Sequence, residues 1–224
     1  MGILDSLNNS YIQAKKNASE ILKKRMAKVP FVEEVLKLPS RVPPHQRAVN
    51  AMVAMPPVVN SYPHIEKNEW ALKLYGEVAH EKQINWEEFT KLPIKDYTVD
   101  FHCVTSWSKL DQKFSGVDLK SLFDLCSPTE KAKYVIFECI EGYTTNIPYQ
   151  ELKNNVGFVA IKMDGADIPD NFGGPARAVV PHLYGWKSAK HLKAIRFSEK
   201  DEPGFWEIRG YNNHGDPWKE ERYN

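Results

Sequence analysis

Seven prolines fall between positions 30 and 63: Pro30, Pro39, Pro43, Pro44, Pro56, Pro57 and Pro63. Each locks a backbone torsion, removes a hydrogen-bond donor and disfavours helix at the residue before it. No long periodic element can run through such a stretch. The chain therefore reads as three parts: a helical extension over 1–28, a proline-rich wrapping segment over 29–69, and a compact domain over 70–224. In the extension, Leu4, Leu7, Tyr11, Ala14, Ala18 and Ile21 keep a three-four spacing with lysines outside it. Such a helix packs on its own domain or a second subunit, or lies on a membrane surface.

Within 70–224 the periodicity changes every few residues. "WALKLYGEV" alternates as a strand with Trp70, Leu72 and Leu74 on one face, and "INWEEF" opens a short helix with Asn85 and Glu88 as a capping box. "DYTVDFHC" is the next strand, with Tyr97, Val99, Phe101 and Cys103 sharing a parity, and Thr105, Ser106 and Ser108 read as a loop around Trp107. "GVDLKSLFDLC" is a helix capped by Asp118, and "KYVIFECI" is a strand buried on both faces. "PYQELKNN" is a short helix, and "GFVAIKM", "ARAVVP", "LKAIRF" and "FWEIRGY" are further strands. Short strands mixed with short helices, without regular βαβ spacing, predict an α+β fold with mixed sheets.

The 30 basic and 29 acidic residues leave a net charge of +1, which supplies no global field for nucleic acid. No apolar run approaches a membrane span, no secretory h-region heads the chain, and the three cysteines form no CxxC. The expectation is a soluble, cytoplasmic protein that uses neither nucleic acid nor a membrane span. The sequence sets no oligomeric state.

Two features carry chemistry. Cys103 ends a strand, where a thiolate serves as a nucleophile or a soft metal ligand, or is simply a small buried hydrophobe. His102 alternates to the opposite strand face, so it does not activate Cys103 directly. The second feature is "GGPARAVVPHLYGWKSAK", residues 173–190. It gathers Arg177, Lys187, Ser188 and Lys190, with a helix start at Ser188 adding free N–H groups, as suits one phosphorylated ligand. The patterns of nucleotide loops and zinc sites are missing.

Taken in order, "RVPPHQ", "INWEEFTKLP", "FHCVTSWSKLD", "GYTTNIP", "GGPARAVVPHLYGWKSAKHLKAI" and "GFWEIRGYNNHGDPWKEERY" resemble the single-domain prokaryotic members of the sulfite-oxidase-type molybdopterin-dependent oxidoreductases. The resemblance implies the sulfite-oxidase molybdopterin-binding fold and a molybdopterin cofactor with molybdenum, or tungsten. It also implies oxygen-atom transfer on a small substrate: a sulfur oxyanion, an S-oxide or an N-oxide. Cys103 would be the protein's thiolate on the metal and Tyr143 an active-site phenol. Arg177, Lys187, Ser188 and Lys190 would hold the pterin and its phosphate. Thr144, His102, Arg41 and His45 are further cofactor contacts by the same resemblance, and so is Asn171, beside Phe172 where relatives carry His or Asn. Relatives often place an arginine just after the cysteine. Here Ser106 and Trp107 stand there, with no cation before Lys109, which argues against a dianionic substrate such as sulfite. With no haem domain, electrons would pass through an external partner. Two rival readings use the same residues: a non-catalytic binding protein for a phosphorylated ligand on the Arg177–Lys190 loop, and an enzyme with Cys103 as nucleophile.

Overall fold

The computed structural model describes residues 41–224; the helix read over 3–28 lies outside them. Two sheets and three short helices make up this part. The first sheet contains β1 (Arg47–Val49), β4 (Ile94–Cys103), β5 (Trp107–Asp118), β8 (Phe158–Met163), β9 (Ala166–Asp167) and β10 (Arg177–Val179). The second runs in the order β3 (Lys82–Asn85), β2 (Ala71–Gly76), β11 (Leu192–Ser198), β6 (Tyr134–Cys139), β7 (Thr144–Pro148). In it β2 and β11 are parallel and the other pairs antiparallel. Mixed sheets with few short helices make this an α+β fold.

The helices form where the local chemistry asks for them. In α1 (Trp86–Thr90), the Glu88 N–H donates to Asn85 Oδ1 and the Asn85 N–H to Glu88 Oε2, both at 2.9 Å, the reciprocal cap read from the sequence. In α2 (Leu119–Cys126), Asp118 accepts from the Lys120 N–H and the helix buries Leu119, Leu122, Phe123 and Cys126. The third helix, α3 (Tyr149–Asn154), buries only Leu152. The interior strand β6, between β11 and β7, is apolar on both faces, with Val135, Ile136 and Phe137 all buried. The main core takes side chains from both sheets, among them Leu72, Phe137, Val159 and Ile195.

Residues 41–69 lie against this domain. Strand β1 runs parallel to β5, pairing Arg47 with Trp107, and Met52, Met55, Val58 and Ile65 pack against the core.

Three local expectations are corrected. Residues around Trp107 are no loop: the chain turns over 104–106 and returns at once as β5, a 12-residue strand paired with β4. Its Ser, Lys, Asp and Gln residues mask the period-two signal. The shared parity of Tyr97, Val99, Phe101 and Cys103 does not make one face. The β4–β5 pairing shifts between Val99 and Phe101, so Tyr97 and Val99 pack with a smaller cluster around Phe158, whereas Phe101 and Cys103 join the main core. The strand expected in "FWEIRGY" is a 3-10 turn, Glu207–Arg209, closed by Gly210 at φ 89°. There Ile208 is 68% exposed and Glu207 is buried, because a buried ion pair outweighs the apolar pattern.

Candidate active site

The end of β4 brings Cys103 to a cavity with three walls. The proline-rich segment supplies one wall through Met52, Met55, Val58 and Tyr62. Phe101, Cys103 and Trp107 form the second, and Tyr143, Arg177, Trp186, Ser188 and Lys190 the third. Five residues predicted as site residues, Cys103, Tyr143, Arg177, Ser188 and Lys190, thus meet in one place. Cys103 is 6% exposed, with Sγ 3.2 Å from Thr105 Oγ1.

Arg177 is 1% exposed and begins β10 after the Gly-Gly-Pro turn. Its Nη1 donates to the Phe172 carbonyl (2.8 Å), its Nη2 to the Ser188 carbonyl (2.9 Å), and its guanidinium lies 5.4 Å from the Phe101 ring centre. Among the described residues no carboxylate forms an ion pair with it. Burial lowers its pKa to about 10, so it is still a cation at neutral pH. Lys190 Nζ donates to the Asn171 carbonyl at 2.8 Å and sits 5.7 Å from the Tyr62 ring centre. Asn171 and Phe172 therefore act here through their backbone oxygens. Gly173, at φ 100°, makes this possible, since a Cβ there would come within 2.6 Å of Lys190 Cβ.

Ser188 ends the 3-10 turn Gly185–Lys187 rather than starting a helix, and its Oγ accepts from the Val180 N–H at 2.9 Å. The expected row of free N–H groups at Ser188 is corrected accordingly: its own N–H donates to Gly185 O. Tyr143 Oη donates to the Trp186 carbonyl at 2.5 Å, and burial pushes the phenol well above its ordinary pKa, so it keeps its proton. Glu141 also reaches the cavity and is 3.4 Å from His191 Nδ1.

The remaining predicted residues lie elsewhere. Lys187 is fully buried behind the wall, 2.6 Å from Glu207 Oε1, and donates to the carbonyls of Asn146 and Asn213. Trp186 Nε1 and Thr145 Oγ1 donate to the same Glu207 oxygen, which ties the wall to this pair. The Thr144 carbonyl accepts from the Phe205 N–H. His102 occupies the opposite face of β4, bonded to Ser108 Oγ at 2.9 Å. Burial lowers its pKa to about 4, so it is neutral. Arg41 lines a separate surface depression with His102 and Trp218, its guanidinium held by Asp100 and Asp111 at 2.6 Å each. His45 Nδ1 meets Glu220 at 2.8 Å and its side chain is 72% exposed.

Glu207 and Arg222 went unread in the sequence. Their partners lie 20 and 118 residues away, beyond the reach of periodicity.

The donor set fits a soft metal carried on an anionic organic group. Cys103 offers sulfur, and a buried guanidinium with no carboxylate partner among the described residues offers charge for an anion. No group of three or more potential metal-ligating His, Cys, Asp or Glu side chains occurs among the described residues, so a metal here would need ligands beyond their side chains. No helix among them is long and apolar enough to cross a membrane.

Comparison with known proteins agrees. Residues 59–206 match the family model described as the oxidoreductase molybdopterin binding domain. The chain is 37% identical over 186 residues to the uncharacterized oxidoreductase YuiH of Bacillus subtilis, covering 82% of this chain and 92% of that one. It is 28% identical over 148 residues to a putative protein-methionine-sulfoxide reductase subunit, YedZ1, of Azospira oryzae, covering 66% of this chain and 56% of that one. Among solved structures, the sulfane dehydrogenase SoxCD of Paracoccus pantotrophus shares the fold, with a TM-score of 0.58 at 16% identity over 66% of this chain and 42% of that one. The chain belongs to the oxidoreductase molybdopterin-binding family, as a molybdenum oxidoreductase of sulfite oxidase type.

Proposed function

We propose that this enzyme reduces a small neutral S-oxide or N-oxide by oxygen-atom transfer, with Cys103 as the protein ligand of molybdenum. The observation that carries the reading is the cavity itself, in which, among the described residues, Cys103 shares an otherwise largely apolar lining with just two Lys or Arg residues, Arg177 and Lys190. Arg177 donates to backbone carbonyls and Lys190 to the Asn171 carbonyl. Both lie where they would hold the anionic part of molybdopterin, with Ser188 beside them. A sulfite dianion would need further cations. A sulfoxide presents one polar oxygen between apolar substituents, which suits walls made of Met52, Val58, Tyr62 and Trp186. The name of the Azospira relative supports the same class of substrate.

When bound, the molybdenum cofactor supplies the two-electron redox chemistry of oxygen transfer. The chain's own residues orient and enclose. Tyr143 lines the cavity, protonated and with its hydroxyl fixed on the Trp186 carbonyl. The aromatic walls restrict water. Electrons come from an external partner.

The test is protein purified from a host that makes molybdopterin, beside Cys103→Ala. About one molybdenum per chain is expected in the wild type, with metal reduced or lost and turnover down more than a hundredfold in the variant. A reduced dye should be oxidised on addition of a dialkyl sulfoxide, and sulfite should reduce the oxidised dye poorly. Turnover with sulfite alone would overturn the substrate assignment, and metal-free wild type would overturn the site.

A further inference from the structure

The turn that carries Cys103 is gripped from behind by two segments at opposite ends of the described chain. Gln46 Nε2 donates to the Cys103 carbonyl at 3.3 Å, and Arg222 Nη1 donates to the next carbonyl, that of Val104. The Arg47 N–H donates to the Ser106 carbonyl at 3.2 Å. Both gripping side chains are buried, Gln46 at 6% and Arg222 at 3% exposure, and neither lines the cavity. Gln46 is itself fixed, because its Oε1 accepts from Ser108 Oγ at 2.5 Å. Arg222 lies over the Tyr184 ring at 5.1 Å, and the two segments are latched together by His45 and Glu220. Inside the turn, Ser106 stands at φ 68°, a left-handed conformation that a side chain other than glycine adopts only under external constraint.

We propose that Gln46 and Arg222 are positioning residues for Cys103: by holding the carbonyls of its turn they fix the direction from which the sulfur meets the metal. The inference rests on the reading of Cys103 as metal ligand. A ligand sulfur is only as well placed as the backbone that carries it, and outer contacts of this kind tune a metal centre without touching substrate. It also gives a use to two segments, 41–46 and 211–223, whose gripping residues stand outside the cavity.

The test compares the wild-type holoenzyme with Gln46→Met, Arg222→Met and Arg222→Lys. Each is examined for molybdenum content, melting temperature, steady-state kinetics with a dialkyl sulfoxide, and the electron paramagnetic resonance signal of partly reduced molybdenum. The two Met variants should keep their metal but show a shifted signal. Their kcat should fall about ten- to a hundredfold while KM stays within about twofold. Arg222→Lys, which restores a donor and a charge, should recover most of both. A signal identical to wild type in a folded, fully loaded Gln46→Met or Arg222→Met overturns the proposal, and so does a kcat loss that only tracks metal content. If Arg222→Met does not fold, Gln46→Met decides. Wild type without molybdenum would instead overturn the underlying reading of Cys103.

Discussion

Two buried cations ten residues apart, Arg177 and Lys187, are 1% and 0% exposed and both were read from the sequence as cofactor contacts. Lys187 has Glu207 at 2.6 Å and two backbone carbonyls besides. Among the described residues, Arg177 hydrogen-bonds to carbonyls alone. Burial pulls both pKa values down, and for Lys187 the Glu207 carboxylate opposes the shift. On the proposed reading, the difference separates architecture from binding. A buried charge neutralised by a carboxylate serves the fold, whereas one left with carbonyls on a cavity wall has its charge available to an incoming anion.

The contrast can be broken most sharply at Glu207. Glu207→Ala strands the Lys187 ammonium in the core and removes the acceptor of Trp186 Nε1 and Thr145 Oγ1. We expect a loss of about 3–5 kcal/mol, a fall in melting temperature on the order of ten degrees. A loss under about 1 kcal/mol would mean that the pair contributes nothing special.

Arg177→Met should behave in the opposite way. The apoprotein loses hydrogen bonds but also sheds a desolvated charge, so its stability should stay within about 2 kcal/mol of wild type. Retention of molybdopterin, read by fluorescence of the released and oxidised pterin, should fall at least about tenfold, since each charge-assisted hydrogen bond is worth about 1.5–3 kcal/mol. If Arg177→Met unfolds the apoprotein as badly as Glu207→Ala, the distinction between the two cations collapses.

The sequence shows why the local part of this contrast is legible in advance and the partner-dependent part is not. Local signals were legible: the Asn85–Glu88 cap, the doubly buried β6, the Gly-Gly-Pro turn into Arg177, and Cys103 at a strand end all depend on near neighbours. The basic cluster was legible as residue types, but the role of each cation depends on a partner distant in sequence. Glu207 sat inside an apolar alternation that reads as a strand, and the Val104 carbonyl that Arg222 serves leaves no mark on a side-chain pattern. The shift between Val99 and Phe101 is equally silent, yet it decides that Phe101 and Cys103 face the main core.

A third ionic cluster, half open to solvent, sharpens the comparison at the small end. His214, on the tail that carries Arg222, lies 2.9 Å from Glu151 and 2.6 Å from Glu221, with His182 3.2 Å from Glu151. Its hydrogen bonds to Glu151 and then Glu221 outweigh partial burial and raise its pKa from 6.5 to about 9. Burial would raise Glu151, but the close approach of His182 and the hydrogen bonds from His214 prevail and lower it from 4.5 to about 2. The His214 contribution is therefore complete below pH 6.5 and lost as pH rises through about 9; that of Glu151 is complete above pH 4.5 and lost as pH falls through about 2. The stability difference between wild type and His214→Gln should be constant from pH 4.5 to 6.5 and shrink toward pH 9, while His102, neutral in the fold, lowers the denaturant midpoints of both proteins as pH falls below 6.5. With the His214 side chain 37% exposed, added salt should shrink the difference between wild type and His214→Gln while leaving the Glu207→Ala effect intact. Equal salt sensitivity in the two variants would mean that burial does not separate the clusters. Salt insensitivity in both would mean that the tail is held by packing, with His214 a bystander.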